Sequence, residues 1–255
     1  MERLHIIRTG TRYEAITSPA RRAHLEDPDG TILIPPEDYL IAVRQVLGVI
    51  DLDPCSSARA QLSIDAQGWY KAEDAAAALA EPWSGRVFLH PHPNSTVARY
   101  QIQKLLRDYL AGRIEAAVLL AGKVDWLRTE PLLLSFPWCM HYRRLSHWRW
   151  DSATAKLTRL NPSFTHFSLY LPKRNGHHFD DDKLAAFLEH FSSYGRVVLA
   201  EDFGDDWEQS AMLATRRMPI KPVLTQTRLS RYDDHGTRDF NLDNLAADDE
   251  QEASA

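Results

Sequence analysis

The sequence predicts an α/β domain in which helices flank a mostly parallel β-sheet. Short apolar segments alternate along the chain with longer segments in which apolar residues recur every three or four positions, and this alternation is typical of layered α/β domains. Residues 116–121 are apolar throughout, as expected of a strand that is buried on both faces of a parallel sheet. With 44% hydrophobic and 25% charged residues, the composition is that of a globular chain.

The elements are expected in a simple order along the chain. A first helix begins after Pro36 and ends at Leu47, before Gly48, and a strand follows over residues 49–52. A second strand over 86–89 leads to a helix that Asn94, Ser95 or Thr96 can cap and that Gly112 ends. The remaining strands are expected over 116–121, 139–143, 167–171 and 196–200, with helices near 125–134 and 184–191.

Four regions differ in composition. Residues 31–200 carry the periodic pattern of the domain, and residues 1–30, without steady periodicity, are interpreted as an N-terminal extension. Residues 201–242 are interpreted as a C-terminal extension that packs on the domain. Residues 243–255 contain five acidic residues and no Lys or Arg, and they are expected to form an acidic, disordered tail.

Composition also limits the class of protein. No apolar segment approaches the roughly 20 residues that span a bilayer, so no membrane partner is expected. The first residues lack the long apolar segment of a signal peptide, and two cysteines, Cys55 and Cys139, cannot form a disulfide framework. These features favour a cytoplasmic location. The weak net charge of −5 does not by itself favour a nucleic-acid partner.

The distribution of charge does favour such a partner. Residues 141–174 contain seven Lys or Arg and one acidic residue, interleaved with Tyr, Trp, Phe and His. Cations attract phosphates and aromatic rings stack on unpaired bases, so Arg143, Arg144, Trp148 and Arg149 are candidate DNA-binding residues. The alternative interpretation is that the aromatic residues belong to the core and that the cations form a solvated face.

Two polar turns follow predicted strands. They cover residues 51–57 and 90–94, and in α/β sheets ligands bind beyond the carboxyl ends of the strands. If the two strands are neighbours in the sheet, the turns lie side by side. The sequence therefore predicts a ligand site at this edge.

A family resemblance adds to this prediction. The segments VLGVIDLDPCSS, YKAED and PWSGRVFLHPHP occur in this order, followed by Val124-Asp125-Trp126 and Arg144-Leu145. They resemble the phage- and plasmid-borne DNA N6-adenine methyltransferase family over roughly residues 30–200. The resemblance implies a Rossmann-like fold that uses S-adenosylmethionine to methylate adenine in DNA. It also implies a phage or plasmid setting and a role in restriction-modification.

The resemblance implies cofactor-binding roles for particular residues. Asp51 and Asp53 would hold the ammonium or the ribose hydroxyls of S-adenosylmethionine, and Pro54, Ser56 and Ser57 would shape the turn around its carboxylate. Glu73 and Asp74 would meet the adenosine. The family has Asp-Gly after this acidic pair, whereas this chain has four alanines at 75–78.

The catalytic motif departs from the family. Asn-Pro-Pro-Tyr is replaced by His90, Pro91, His92 and Pro93, so the amide oxygen that accepts an N6 hydrogen and the ring that stacks on the base are both missing. Three interpretations stay open. The enzyme is active through His90 or Asn94; the fold is a catalytically degenerate DNA- or cofactor-binding module, regulatory or anti-restriction; or His90 and His92 bind a metal with Asp125 or the pair at 177–178.

Overall fold

A computed structural model of the chain describes residues 5–9, 12–16, 32–151, 154–161, 164–175, 178–179 and 181–199. All of them belong to one compact unit, Met1–Lys221. The predicted C-terminal extension and the acidic tail lie outside the described residues, as does most of the predicted N-terminal extension. None of the described helices is long and apolar enough to cross a membrane.

The described elements are thirteen strands and six α-helices. The strands are β1 (His5–Thr9), β2 (Arg12–Ile16), β3 (Leu52–Ser56), β4 (Gly68–Lys71), β5 (Gly85–Leu89), β6 (Ile114–Ala121), β7 (Trp138–His141), β8 (His147–Asp151), β9 (Lys156–Leu160), β10 (Phe167–Leu171), β11 (Arg174–Asn175), β12 (His178–Phe179) and β13 (Gly195–Val198). The helices are α1 (Glu37–Leu47), α2 (Gln61–Ile64), α3 (Ala75–Ala80), α4 (Ser95–Leu110), α5 (Asp125–Thr129) and α6 (Asp181–Phe191).

Seven strands form the central sheet in the order β13-β7-β10-β6-β5-β3-β4. The neighbouring strands β4, β3, β5 and β6 are parallel, while β10 is antiparallel to both β6 and β7, and β13 is antiparallel to β7. The prediction of a mixed α/β fold with a largely parallel sheet and flanking helices is therefore confirmed, and the architecture is compatible with a Rossmann-like fold. The pairs β1–β2, β8–β9 and β11–β12 are separate hairpins.

Local sequence explains the two longest helices near the site. Helix α1 buries an apolar face that includes Tyr39, Leu40 and Val43. Helix α4 begins at Asn94, whose side-chain oxygen accepts hydrogen bonds from the backbone N–H groups of Thr96 and Val97. This is the cap that the sequence predicts, and it satisfies two of the N–H groups that a helix start leaves free.

Two boundaries differ from the prediction because of proline. The predicted strand over 49–52 is wrong in position, since β3 runs from Leu52 to Ser56 and contains Pro54. A register shift between Asp53 and Ser56 accommodates this proline, because a bulge removes the need for its N–H. The predicted helix near 125–134 is divided into α5 and a 3-10 turn over Pro131–Ser135, since Pro131 cannot donate to a continuing helix.

A buried polar network supports the approach to β5. The backbone N–H of Trp83 donates to Asp108 at 3.0 Å, and the indole N–H donates to the carbonyl of Ala78 at 2.7 Å. Lys104 and Arg113 also contact the Asp108 carboxylate, at 2.9 and 2.6 Å.

Gly85 has φ +74, and an added Cβ there would lie 2.8 Å from the Asp51 carboxylate. The interpretation of Trp83 and Gly85 as structural residues agrees with these contacts.

Candidate functional site

The candidate site lies at the carboxyl ends of the parallel strands. Strands β3 and β5 are direct neighbours, so the segments that follow them leave the sheet side by side, as the site prediction required. Strand β10 runs in the opposite direction and begins at the same edge, where Phe167 pairs with Ala121 at the end of β6. The edge therefore collects segments that leave the sheet and one that enters it.

Asp51 does not lie at this edge. It precedes β3, and its carboxylate receives the guanidinium of Arg86 at 2.8 and 2.9 Å together with the backbone N–H of Arg86 at 2.8 Å. Burial acts to raise the pKa of Asp51, but the hydrogen bonds and the charge of Arg86 hold it below its usual value. The prediction that Asp51 lies where the strand ends is wrong, because the strand starts after it.

Asp53 is the second residue of β3, Ser56 is its last and Ser57 follows it, and all three side chains have partners inside the protein. The prediction that Asp53 lies where the strand ends is therefore wrong as well. The Asp53 carboxylate accepts hydrogen bonds from Gln61 Nε2 at 2.8 Å and from the backbone N–H of Cys55 at 3.2 Å. Gln61 Nε2 also contacts Ser56 Oγ at 2.6 Å. Burial raises the pKa of Asp53 to about 6 despite these hydrogen bonds, so this carboxyl group is protonated in milder acid than an exposed aspartate.

The rest of the turn is equally enclosed. Ser57 Oγ accepts the backbone N–H of Ala60 at 3.2 Å, and Pro54 is buried within the strand. The Cys55 thiol is buried, and burial raises its pKa to about 12, which keeps it protonated and unreactive. The predicted open turn over 51–57 is thus a packed strand end.

Glu73 and Asp74 are the predicted cofactor residues that remain exposed. They follow β4, whose last residue, Lys71, pairs in register with Ser56 at the end of β3. Lys71 Nζ lies 3.3 Å from Glu73 Oε1 on the surface. The alanines at 75–78 start helix α3, where Ala75, Ala76 and Ala78 are buried.

These contacts test whether the predicted residues fit S-adenosylmethionine. Glu73 and Asp74 have the position in which acidic residues bind ribose hydroxyls in α/β folds. The side chains of Asp51, Asp53, Ser56 and Ser57 are already hydrogen-bonded within the protein. As a set, the residues predicted to bind the cofactor do not fit it in this conformation.

His90 is the first residue after β5, and its protonation state follows from its contacts. Nδ1 lies 3.1 Å from the carbonyl oxygen of Leu33, and because a carbonyl only accepts, Nδ1 carries the hydrogen. Burial and the neighbouring His147 and His166 lower the pKa of His90 well below its usual value, so the ring is neutral. Its Nε2 therefore carries a lone pair and can accept a hydrogen bond.

His92 has the opposite tautomer. Its Nδ1 accepts the backbone N–H of Asn94 at 3.0 Å, and burial lowers its pKa to about 4. A neutral ring with an accepting Nδ1 carries its hydrogen on Nε2. The backbone N–H of His92 donates to Gln101 Oε1 at 2.8 Å. Of the two prolines of the motif, Pro93 is exposed and Pro91 is half-buried. The Asn94 side-chain oxygen caps α4, so it does not replace the family's catalytic amide.

His90 belongs to a group of four imidazoles that we call the histidine cluster: His90, His141, His147 and His166. The ring centroid of His147 lies 5.1 Å from that of His90 and 4.8 Å from that of His166. The ring centroid of His141 lies 6.2 Å from that of His166. Burial lowers the pKa of His141 and of His147 to about 4, and burial with the neighbouring imidazoles lowers that of His166 to about 3.

The hydrogen bonds of the cluster are incomplete. His147 Nδ1 donates to the carbonyl of Leu145 at 2.8 Å, and His141 Nε2 contacts Ser168 Oγ, which also contacts the Tyr39 hydroxyl. Within the described part of the chain, His141 Nδ1, His147 Nε2 and His166 Nε2 are buried without a partner. No three or more His, Cys, Asp or Glu side chains among these residues are arranged to hold a metal ion. The metal interpretation of His90 and His92 thus has no geometric support there.

The predicted DNA-binding residues form a surface beside the cluster. The β8–β9 hairpin is rooted at His147, and Trp148 pairs with Arg159 across its strands. Arg143, Arg144 and Arg149 are exposed, and their side chains contact no partner among the described residues. We call the following exposed side chains the basic aromatic surface: Tyr142, Arg143, Arg144, Trp148, Arg149, Lys156, Arg159 and Phe164.

One contact links this hairpin to the strand end that was predicted to bind the cofactor. The guanidinium carbon of Arg59 lies 3.2 Å from the centroid of the Trp150 ring, an arrangement typical of a cation–π contact. Sequence reasoning missed both the hairpin and the histidine cluster. His141 ends β7, His147 begins β8 and His166 directly precedes β10, but no local pattern in the sequence shows that these strand ends meet.

The chain was also compared with protein-family models, with curated proteins and with solved structures. None of the three comparisons gives a match.

Proposed function

We propose that the protein binds DNA through the basic aromatic surface and that its α/β scaffold serves as a binding module without methyl transfer. The observation that carries this proposal is the position of the β8–β9 hairpin. The hairpin and the residues that lead into it place exposed arginines and exposed aromatic rings at the edge where α/β folds bind their ligands.

The charges of this surface suit a polyanion. Arg143, Arg144 and Arg149 have no acidic partner among the described residues, so no ion pair in that part of the chain has to break when they meet phosphates. Contacts with phosphates release counterions, and this release supplies most of the affinity of a weakly specific DNA binder. The net charge of the whole chain does not oppose such binding, because the charges that matter are local.

The absence of methyl transfer is supported by the enclosed strand end. Asp51 is paired with Arg86, Asp53 is buried and has a raised pKa, and both flanking serines are hydrogen-bonded inside the protein. Pro93 stands where the family has the tyrosine that stacks on the target base, and a proline ring offers no π-face.

The test is a binding titration with fluorescently labelled DNA at low salt, read by anisotropy. The double variant Arg143→Glu/Arg144→Glu should weaken binding by at least tenfold. Arg107→Glu is the matched control, because Arg107 is an exposed arginine in the last turn of α4, at the opposite edge of the sheet. Equal affinity of the double variant and the wild type, or no binding of DNA by either, would overturn the proposal.

Adenine-N6 methyl transfer is the second candidate, and a specific observation favours it. His90 Nε2 carries a lone pair at the position where the resemblance has an accepting amide oxygen. Transfer of tritiated methyl groups to DNA by the wild type, abolished in His90→Ala, would establish this function. Absence of transfer by the wild type together with transfer by a variant carrying Asn-Pro-Pro-Tyr at 90–93 would show that the scaffold is intact and the motif is not.

A further inference from the structure

Three aromatic side chains of the basic aromatic surface are open to solvent. Tyr142 is 73% exposed, Trp148 39% and Phe164 38%. Tyr142 precedes the β8–β9 hairpin, Trp148 lies on it and Phe164 follows it. All three therefore belong to the segment that connects β7 to β10. Exposed rings grouped with arginines are unusual on a surface whose only partner is water, and they indicate a binding site.

The Phe164 ring is held in place by contacts with the domain beneath the surface. It lies against Gly122, the first residue after β6, and an added Cβ on Gly122 would come within 2.4 Å of the Phe164 ring. The ring also contacts His166, with centroids 5.3 Å apart and ring planes inclined by 59°. Phe164 is thus the exposed end of a column of rings that continues through His166 and His147 to His90.

Trp148 is held by the backbone. Its N–H and carbonyl form hydrogen bonds with the carbonyl and N–H of Ile34, both at 2.8 Å, which fixes the first residues of the hairpin. The ring itself stays 39% exposed on the face that also carries Arg159. A backbone that is fixed before binding loses no further entropy when a base stacks on the side chain that it carries.

These observations distinguish between two forms of DNA. In a duplex the bases are stacked on each other and only their edges are open, so exposed rings add little to the contacts that arginines make with phosphates. An unpaired strand offers the faces of its bases, and stacking on an aromatic side chain contributes to binding whatever the base. A surface with both cations and exposed rings fits the unpaired strand.

We propose that the basic aromatic surface selects single-stranded over duplex DNA, with bases stacked on Trp148 and Phe164 and phosphates bound by the neighbouring arginines. This inference rests on the proposed DNA binding and specifies its substrate class. Arg149 lies on the face of the hairpin opposite to Trp148 and Arg159, so Arg143, Arg144 and Arg159 are the arginines that we assign to phosphates. With three such contacts, the logarithm of the affinity should fall with the logarithm of salt concentration with a slope of about −2.

The experiment compares three labelled probes of equal length with the full chain: an oligo-dT strand, its abasic counterpart and a duplex. The abasic strand carries the same phosphates but no bases, so it separates charge from stacking. Wild type should bind oligo-dT at least tenfold more tightly than the abasic strand or the duplex. Trp148→Leu and Phe164→Leu should each weaken binding to oligo-dT by about 5- to 100-fold, because leucine keeps the apolar bulk but has no π-face.

Leu157→Ala is the matched control, because Leu157 is an exposed apolar residue on the same face of the hairpin as Trp148. It should bind oligo-dT like the wild type. Binding of the duplex or of the abasic strand as tight as that of oligo-dT would overturn this inference while leaving DNA binding intact. Failure to bind any of the probes would overturn both proposals.

Discussion

The histidine cluster predicts a loss of stability in mild acid. Burial lowers the pKa of His141 and of His147 to about 4, whereas a histidine in the unfolded chain has a pKa near its usual value of about 6.5. Between these values the unfolded chain binds more protons than the folded protein. The contribution of these groups to stability is therefore fully present above about pH 6.5 and is lost as the pH falls towards 4.

The size of the effect follows from the same values. Lowering the pH from 7 to 5 should remove about 2 kcal/mol of stability for each of the two histidines. Asp53 acts in the opposite sense, because its pKa is raised to about 6 and it takes up a proton in the folded state over this interval. This proton uptake by Asp53 increases the free energy of unfolding by about 1 kcal/mol. These three groups together therefore lose about 3 kcal/mol, which corresponds to a fall of roughly 6–12 °C in Tm. His92 and His166, whose pKa values burial lowers to about 4 and about 3, add to this loss in the same sense, so the fall in Tm should be at least this large.

The assay is urea denaturation at pH 7, 6 and 5, followed by circular dichroism. This interval avoids the carboxylates of Asp51 and Asp108, whose pKa values are lowered and which are protonated only at more acidic pH. His147→Phe should reduce the pH dependence by about 2 kcal/mol, because one buried titratable ring is lost. A stability that is equal at pH 5 and pH 7, or an unchanged dependence in His147→Phe, would refute the reasoning.

Three further predictions concern single contacts. Asp51→Asn should lower the free energy of unfolding, measured by chemical denaturation, by about 1–3 kcal/mol, because Arg86 loses a charged partner. A variant as stable as the wild type would show that the Asp51–Arg86 pair has no structural role. Asn94→Ala should cost about 1 kcal/mol through loss of the α4 cap, with Asn94→Asp as a variant that keeps it. Gly122→Ala should shift Phe164 and destabilise the protein by about 1–3 kcal/mol, and thermal denaturation that matches the wild type would contradict this.

Much of the fold could be predicted because its signals are local. Asn94 before an apolar periodic segment marks the start of α4, and the uniformly apolar segment within β6 marks a buried strand. The direction of β10 could not be predicted in this way. Whether a strand runs parallel or antiparallel to β6 depends on the route of the chain between them, and side-chain periodicity does not record that route.

The candidate site was predictable in place but not in detail. The sequence locates polar turns after two strands, and the structure shows that these strands are neighbours. The sequence does not show that Pro54 can lie inside a strand. The strand was therefore predicted to end near Asp51, whereas in the structure Asp51 precedes β3. The histidine cluster depends on contacts between residues more than fifty positions apart, such as His90 and His147, and no local pattern reveals such contacts.

The reversed strand β10 has a consequence for how this protein can vary. Met140 near the end of β7 pairs with Phe167 at the start of β10, so the chain leaves the sheet and returns to it at adjacent positions. Everything between them, including the β8–β9 hairpin, is an insertion whose two ends are already joined by the sheet. The exposed positions of this segment can be exchanged at little cost to the strands that anchor it, whereas His147, His166 and Trp148 are held by contacts with the rest of the domain. The sheet thus provides a fixed base, and the exposed part of this segment can change independently of it.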